Sequence, residues 1–387
     1  MRKLLWIGDA AVSTGFARAT HHTLEVLRRT WDVHVLGINY MGDPHSFPYP
    51  IYPAWPGGDV FGIKRTKEMV DRLQPDLVVV QNDPWNIREY FKQVDGKAPV
   101  VATMPVDGKN CRGKDLNGIA LGIFWTKFGL DEATRGGYTG PSAIVPLGVD
   151  LGMYSPMDRR EAREKIGLPG LEEVFIVGNV NRNQPRKRLD LTIKAFAEWV
   201  QKYGHQDAYL FLHVSPTGDR GYDVKHLMHY YGFREDQKRL ILVEPHIGHG
   251  IEEESMRAIY SCFDVQVTTT QGEGWGLTTM EGMACGIPQI IPNWAALGEW
   301  CGGNAVLRVP CTSTIVTPDY INAVGGVIDH ELLVSAMETL YRHSSTRSFL
   351  ASAGIELVSR PEFRWENIGQ KFAEVLEEPY ANSKKVA

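Results

Sequence analysis

Two glutamates with seven residues between them, Glu273 and Glu281, form the pattern in this sequence that most clearly predicts chemistry. A run rich in β-branched residues precedes Glu273 and predicts a buried strand, and a helix is predicted over Leu277–Ala284. Glu273 should therefore lie on a glycine-rich loop, and Glu281 about one turn into the following helix. Two carboxylates placed in this way can accept hydrogen bonds from hydroxyl groups at two separate positions of one ligand.

The loop between these glutamates is suited to a phosphate group. Gly274 and Gly276 have no side chains, so a ligand can approach the backbone closely. The helix that begins at Leu277 has free N–H groups in its first turn, and such groups bind anions. Hydroxyl-binding carboxylates beside an anion site are what a nucleotide sugar requires. The simpler alternative is an ordinary strand–turn–helix with two surface glutamates.

A second loop supplies cations. Residues 178–188 read Gly-Asn-Val-Asn-Arg-Asn-Gln-Pro-Arg-Lys-Arg, after one predicted strand and before a predicted helix. Fixed cations in this loop could stabilise a diphosphate whose negative charge grows as the bond to it breaks. The loop contains four of them: Arg182, Arg186, Lys187 and Arg188. The alternative is a solvated basic turn.

The elements that must position these loops alternate between strand and helix. Apolar runs predict strands at residues 4–9, 33–39, 76–82, 100–106, 119–126, 143–146, 174–180, 208–214, 239–243, 265–270, 289–292 and 305–309. Such runs suit strands buried on both faces of a parallel sheet. Helical patterns lie between several of them, most clearly over Leu189–Tyr203. The sequence therefore predicts an α/β fold with two Rossmann-like domains facing a cleft, and ligands at the carboxyl ends of the strands.

The glutamate stretch resembles the E-x7-E motif of GT-B glycosyltransferases, especially the retaining enzymes of family 4, and its continuation Met283–Pro288 also matches that family. The resemblance implies that Glu273 holds the donor sugar and that Glu281 holds the ribose diol. It also implies that Arg182 and Lys187 hold the donor phosphates, whereas Arg186 and Arg188 are extra to the family pattern. The residues predicted to bind the donor are Gly15, Arg182, Lys187, Glu273, Gly274, Gly276, Leu277 and Glu281. The residues predicted to take part in catalysis are Asp107, Glu273, Lys187 and Arg182.

The resemblance extends to the organisation of the chain. Residues 145–156 resemble the interdomain segment of this family, and the helix predicted after Phe363 resembles one that crosses back to the first domain in many members. We therefore predict an acceptor-side domain at 1–150, a nucleotide-sugar-binding domain at 157–358, and a C-terminal helix at 359–380 that packs on the N-terminal domain.

The first domain offers candidate residues at the ends of its predicted strands. Gly15, in the first βα turn, could lie close to the donor phosphate or the acceptor, or could simply permit a tight turn. Asp107 stands where family members often carry a histidine, and this departure bears on its catalytic role. Asp83 could contact the acceptor or stabilise a turn through its side chain.

The acceptor side has a basic loop and an aromatic segment. Lys109 and Arg112 follow Asp107 closely, and residues 40–55 carry several aromatic side chains. Cations beside flat rings suit an anionic acceptor such as a sugar phosphate, a lipid phosphate or a nucleic acid. Hydroxymethylated DNA, as modified in some phages, is one candidate acceptor, and an ordinary glycan or glycolipid is the default. A solvated basic turn beside a hydrophobic loop is the alternative.

The length, charge and cysteine content of the chain bear on its number of domains, its partners and its cellular compartment. The chain has 387 residues, enough for two domains, and its net charge of -5 gives no overall attraction to nucleic acid or acidic lipid. Five cysteines without a C-x-x-C pair predict reduced thiols and a cytoplasmic protein. No apolar run approaches the roughly 20 residues that span a bilayer.

No metal or other cofactor is expected, because the sequence has no Asp-x-Asp motif that could bridge a metal to a diphosphate. His246 and His249, close to Glu244, match no familiar ligand spacing and are predicted to be loop histidines. These observations together predict a metal-independent, retaining glycosyltransferase that uses a nucleotide sugar. A GT-B-fold nucleotide-sugar epimerase and a non-catalytic nucleotide-sugar-binding protein are the alternatives.

Overall fold

The computed structural model describes residues 2–55, 57–214, 221–233, 239–243, 251, 253–318 and 321–386. The chain divides into two compact units, Met1–Gly148 with Pro361–Ala387, and Val149–Arg360. Each unit is built on a parallel sheet packed against helices. The predicted fold class, α/β with two Rossmann-like domains, is confirmed.

The first unit contains seven strands and five longer helices among its described residues. The strands are β1 (Arg2–Asp9), β2 (Trp31–Ile38), β3 (Ile51–Pro53), β4 (Leu77–Gln81), β5 (Val100–Met104), β6 (Leu121–Phe124) and β7 (Ser142–Ile144). The helices are α1 (Gly15–Leu27), α2 (Ile63–Leu73), α3 (Pro84–Val94), α4 (Lys127–Arg135) and the C-terminal α13 (Trp365–Val386). A 3-10 turn spans Gly113–Leu116.

The sheet of the first unit has the strand order β3-β2-β1-β4-β5-β6-β7, and its pairs are parallel. Strands β4 and β5 are buried along their whole length, as expected for strands covered on both faces. Strand β3 was not predicted. It is only three residues long and ends in a proline, so it carries too little alternation to be recognised from sequence.

Helix α13 packs against α1 in the first unit. Ile368, Phe372 and Leu376 share a buried apolar cluster with Leu24 and Leu27 of α1. These three residues are spaced by four along the helix, so they lie on one face of it. The burial of this face explains why the C-terminal segment belongs to the first unit rather than to the second.

The second unit contains the remaining elements. The strands are β8 (Phe175–Val180), β9 (Ala208–His213), β10 (Leu240–Val243), β11 (Val265–Val267), β12 (Gln289–Pro292), β13 (Leu307–Val309), β14 (Cys311–Val316) and β15 (Val324–Ile328). The helices are α5 (Arg159–Lys165), α6 (Leu189–Tyr203), α7 (Val224–Tyr230), α8 (Glu253–Ser261), α9 (Leu277–Ala284), α10 (Ala295–Trp300), α11 (His330–Arg342) and α12 (Ser344–Val358). A short 3-10 turn, Pro185–Lys187, precedes α6.

The main sheet of the second unit has the order β10-β9-β8-β11-β12-β13 and is parallel. Strands β8 and β11 are neighbours, with Val265 opposite Val177. Their carboxyl ends therefore lie side by side, although many residues separate them in sequence. The cationic loop follows β8 and the glutamate loop follows β11, so the sheet order places these two loops together.

An antiparallel hairpin of β14 and β15 follows the main sheet and was not predicted. Most of β14 is exposed, so its side chains lack the alternation of buried and exposed positions that identifies a strand from sequence. The hairpin reaches the glutamate loop, because the Gly326 N–H donates to the Gln271 carbonyl at 2.8 Å. Within the described part of the chain, no helix is both long enough and apolar enough to cross a bilayer.

Candidate functional site

The glutamate loop runs from the end of β11 to the start of α9. Helix α9 spans Leu277–Ala284, the bounds predicted from sequence. Gly276 occupies the position before it with φ of 97°, a left-handed conformation that favours glycine. A Cβ at this position would lie 2.6 Å from the Leu297 Cδ2 atom. Both the conformation and the space therefore require a glycine where the loop enters the helix.

Glu273 forms a buried ion pair with a residue of the cationic loop. The Lys187 Nζ atom donates to Glu273 Oε1, and each of these residues is only 8% exposed. Arg186 Nη1 lies 3.5 Å from the other carboxylate oxygen and donates to the Gly272 carbonyl at 3.0 Å. The structure thus brings Glu273, Lys187 and Arg186 together as one charge cluster.

The protonation state of Glu273 follows from this cluster. Burial raises the pKa of Glu273, and the charges of Lys187 and Arg186 lower it by more, so the pKa lies below the ordinary carboxyl value. The carboxyl group is therefore ionised at neutral pH. With two cations around one carboxylate, the cluster carries a net positive charge and suits an anionic ligand.

The backbones of the two loops are also bonded to each other. The Gln271 N–H donates to the Arg186 carbonyl at 2.9 Å, and the Thr269 hydroxyl donates to the Arg188 carbonyl at 2.7 Å. The same hydroxyl contacts Thr192 of α6 at 2.7 Å. These bonds fix the separation of the loops independently of the ion pair.

Three buried asparagines within the cationic loop make further side-chain hydrogen bonds. Asn181 donates to Asn179 at 2.8 Å, and Asn179 donates to Thr192 at 2.9 Å. Asn183 donates to the Tyr222 carbonyl at 2.8 Å and accepts from the Tyr222 N–H at 2.9 Å. Sequence reasoning did not identify these residues, although three asparagines at alternate positions of one segment were a visible pattern.

The other cations of this loop differ in their surroundings. Arg182 is exposed, between the buried side chains of Asn181 and Asn183. Arg188 pairs with Asp190 at 2.8 Å, at the start of α6. The predicted roles of Arg182 and Lys187 at a diphosphate stay predictions, and Arg186 joins them as a cation that sequence reasoning had left without a role.

Glu281 lies inside α9 and is only 3% exposed. It accepts a hydrogen bond of 2.6 Å from the hydroxyl of Tyr260, which belongs to α8 and is itself buried. Helix α9 sits close to β11, because a Cβ at Gly282 would lie 2.0 Å from the Gln266 Oε1 atom. Tyr260 had not been singled out, since a tyrosine in an amphipathic helix gives no separate signal.

A pair of stacked tryptophans restrains the loop between the two glutamates. The rings of Trp275 and Trp300 stack with their centroids 5.1 Å apart, and the Trp300 indole N–H donates to the Trp275 carbonyl at 2.7 Å. Gly274 is buried beside Trp275, whereas Gly276 and Leu277 are partly exposed. The first turn of α9 is thus accessible at its start.

In the first unit, Gly15 is the first residue of α1. Thr14 precedes it, accepts from the Ala17 N–H at 3.1 Å and donates to Asp9 at 2.7 Å. Asp83 precedes α3, and its N–H is bound by the Asn82 side chain at 2.8 Å. Asn82 thus contributes a side-chain hydrogen bond at this turn, and the role of Asp83 stays a prediction.

Asp107 is half-buried after β5, and Lys109 and Arg112 are exposed on the loop that follows. This loop is fixed against α4, since a Cβ at Gly113 would lie 1.8 Å from the Ala133 carbonyl oxygen. Its backbone also bonds to the residues after α4, with the Lys114 N–H donating to Gly136 at 3.0 Å. The exposed cations are therefore carried on a well-defined backbone.

The aromatic segment 40–55 contains both buried and exposed rings. Tyr40 and Tyr49 are buried in the core, and the Phe47 ring stacks on His21 with centroids 3.6 Å apart. Burial lowers the pKa of His21 to about 4. Tyr40 and Tyr49 therefore stabilise the domain, whereas Phe47 and Trp55 are 36% and 40% exposed.

No group of three or more histidine, cysteine, aspartate or glutamate side chains in the described residues is arranged to hold a metal ion. His246, His249 and Glu244, the group considered from sequence, lie outside the described residues.

Both loops fall within one family match. Residues 172–319 match the model of the family Glycosyl transferases group 1. The chain is 29% identical to a D-inositol 3-phosphate glycosyltransferase of Catenulispora acidiphila, over 197 residues that make up 49% of this chain. Over 193 residues, 50% of its length, it is 27% identical to the enzyme of that name from Mycobacterium tuberculosis. The chain spans 43% and 36% of the length of these two relatives.

Solved structures resemble the whole chain. Sucrose-phosphate synthase from Thermosynechococcus elongatus is similar over 99% of this chain and 100% of its own, with a TM-score of 0.75 and 17% identity. Anabaena HepE, solved in complex with UDP-glucose, is similar over 98% of this chain and 100% of its own, with a TM-score of 0.72 and 15% identity. These similarities show a shared fold, the GT-B type with two Rossmann-like units.

Proposed function

We propose that this protein is a retaining glycosyltransferase of the family 4 type, which transfers a sugar from a nucleotide sugar to an acceptor hydroxyl without a metal ion. The observation that carries the proposal is the buried cluster of Glu273, Lys187 and Arg186, in two loops covered by the family match. The relatives are named glycosyltransferases, and HepE was solved with UDP-glucose. These names support a nucleotide-sugar donor for this chain as well.

The cluster can do two things for such a donor. The fixed positive charges of Lys187 and Arg186 can stabilise a phosphate group of the donor. Glu273 is ionised and can accept a hydrogen bond from a hydroxyl of the sugar. A sugar held at Glu273 with its diphosphate at Lys187 would have the bond to be broken beside the cations.

Charge stabilisation then explains how the bond breaks. The diphosphate gains negative charge as it leaves the sugar, and cations already fixed in place stabilise that charge without rearranging. Arg182, Lys187 and Arg186 are the proposed source of positive charge. In the front-face route to retention, the leaving phosphate oxygen takes the proton of the acceptor hydroxyl. The acceptor oxygen then bonds to the same face of the sugar carbon.

The acceptor is proposed to carry a negative charge. Lys109 and Arg112 are exposed on a fixed loop of the first unit, and the two relatives are named for an inositol phosphate. A sugar phosphate or a phosphate-bearing glycan or lipid fits these cations. A nucleic acid such as hydroxymethylated DNA has less support, because Tyr40 and Tyr49 are buried and leave fewer rings for base stacking.

The test has two stages. UDP-, GDP- and ADP-sugars are first screened for an increase in Tm, since a ligand that binds the folded state raises apparent stability. Transfer of labelled sugar from the stabilising donor is then measured with phosphorylated and neutral acceptors, in the presence and absence of a chelator. We expect metal-independent transfer to a phosphorylated acceptor with retention at the sugar carbon.

The alternatives predict different products. An epimerase would convert the donor into its sugar epimer with no acceptor present. A non-catalytic binding protein would be stabilised by the donor but would show neither transfer nor slow hydrolysis. Complete loss of activity on chelation, restored by added metal, would reject the metal-independent mechanism.

A further inference from the structure

Tyr260 of α8 is bonded to the second glutamate of the motif. Its hydroxyl donates to Glu281 Oε2 over 2.6 Å, and the two residues are 0% and 3% exposed. Burying a carboxylate is costly unless hydrogen bonds replace those it made to water. The bond from Tyr260 therefore has a large effect on the orientation of the Glu281 carboxylate.

Packing fixes the ring that carries this hydroxyl. Tyr260 makes edge-to-face contacts with Tyr154 and Phe263, with ring centroids 6.0 and 6.5 Å away. Arg257, one turn earlier in α8, donates to the Ser155 carbonyl at 2.9 Å. Helix α8 is therefore tied to the segment before α5, and the hydroxyl of Tyr260 occupies a defined position.

The helix that carries Glu281 is also restrained. Gly282 leaves no room for a side chain next to Gln266, and Gln266 donates to the Thr278 carbonyl at 3.0 Å in the first turn of α9. With the backbone of α9 held against β11, the orientation of the Glu281 carboxylate depends on its side-chain torsions. The bond from Tyr260 is one contact that restrains these torsions.

We propose that Tyr260 is a positioning residue for the ribose of the donor. By binding one oxygen of Glu281, its hydroxyl holds the carboxylate in the orientation that accepts hydrogen bonds from the two ribose hydroxyls. This inference rests on the proposed function, because it requires Glu281 to bind the ribose. It adds a residue outside the E-x7-E motif to the donor site.

The test compares nucleotide binding by the wild type and Tyr260→Phe, which keeps the ring and removes the hydroxyl. The probe is whichever of UDP, GDP and ADP raises the Tm of the wild type most, together with its 2′-deoxy and 3′-deoxy forms. We expect the wild type to bind the deoxy forms more weakly than the ribose form. Tyr260→Phe should bind the ribose form about tenfold more weakly, as for loss of one hydrogen bond to a charged group.

The variant should also discriminate less between ribose and deoxyribose forms, and kcat should change less than KM. Tyr341→Phe is the matched control, since its hydroxyl also donates to a carboxylate, Asp207, at 2.8 Å. This control should bind the nucleotide as the wild type does. Near-UV circular dichroism checks that the variants are folded.

A double-mutant cycle separates positioning from general destabilisation. If Tyr260 acts through Glu281, then Tyr260→Phe should have no further effect on binding in a Glu281→Ala background. An equal effect in both backgrounds would overturn the inference, as would wild-type binding and discrimination by Tyr260→Phe. Failure of the wild type to bind any of the three diphosphates, or to distinguish the deoxy forms, would instead contradict the proposed donor site itself.

Discussion

Lys187 and Glu273 form a buried ion pair although 86 residues separate them in the chain. The pair joins the loop after β8 to the loop after β11, at the point where these neighbouring strands end. Each charge lies in an environment that would be unfavourable without the other. The contact therefore links the stability of the second unit to the chemistry proposed for it.

Removing Lys187 should affect stability and activity together. Lys187→Ala leaves the Glu273 carboxylate buried without the charge of Lys187, and breaking such a pair typically costs about 3–5 kcal/mol. Transfer should fall at least about a hundredfold, as for other groups that stabilise developing charge. Urea unfolding measures the loss of stability, and the kcat for sugar transfer measures the loss of activity. Lys194→Ala, in the exposed pair with Glu198 of the same unit, is the control and should change neither by much.

The ion pair of Glu273 with Lys187 should make the stability of the folded protein depend on pH. Because the pKa of Glu273 is depressed on folding, the stability it contributes is present above the unfolded value of 4.5 and is lost as pH falls through the lower folded value. The difference in Tm between the wild type and Glu273→Gln should therefore be largest near neutral pH and shrink below about pH 4.5. A difference that is constant across this range would show that the carboxylate charge does not matter.

The two glutamates should give different kinetic defects. Glu281→Ala should mainly raise the KM for the donor, because ribose contacts are present in both the ground state and the transition state. Glu273→Ala should mainly lower kcat, if its bond to the sugar strengthens as charge develops. Steady-state kinetics with the identified donor distinguishes these outcomes. Wild-type values for both variants would disprove the assignment of the site.

Gly276 should be intolerant of any side chain. Gly276→Ala combines a left-handed backbone with a Cβ only 2.6 Å from Leu297, so both Tm and donor affinity should fall. Gly303→Ala is a useful comparison, because its φ of 65° is also left-handed but nothing lies within 4 Å of the added Cβ. The comparison variant should lose only about 1–2 kcal/mol of stability from the backbone and keep its donor affinity. Equal effects of the two changes would show that the contact with Leu297 is unimportant.

The exposed cations of the first unit should act on the acceptor alone. Lys109→Ala and Arg112→Ala should raise the KM for a phosphorylated acceptor and weaken its dependence on salt, while donor binding stays unchanged. Lys92→Ala, an exposed lysine paired with Glu89 on α3, is the control and should have no effect. Efficient transfer to a neutral acceptor, insensitive to both variants, would refute an anionic acceptor.

Local sequence patterns were sufficient to predict many of the helices and strands. Helices α6 and α9 begin and end where predicted, because their apolar spacing and the glycines around them are local properties. The main strands were recognisable as continuous apolar runs. Strand β3 and the β14–β15 hairpin were missed, since β3 is very short and most of β14 is exposed. Such strands are stabilised by hydrogen bonding to their neighbours, and the alternation of apolar and polar residues in the sequence does not reveal that pairing.

The sequence by itself determined which residue types are available at each loop: carboxylates after β11, cations after β8, and glycine at the entry to α9. Only the tertiary structure decided that Lys187 and Arg186 meet Glu273, and that Tyr260 meets Glu281. The physical reason is strand order for the first contact and the packing of α8 against α9 for the second. Residues distant in the chain become neighbours when β8 and β11 pair, and the side chains buried by that pairing must then satisfy each other's charges and hydrogen bonds.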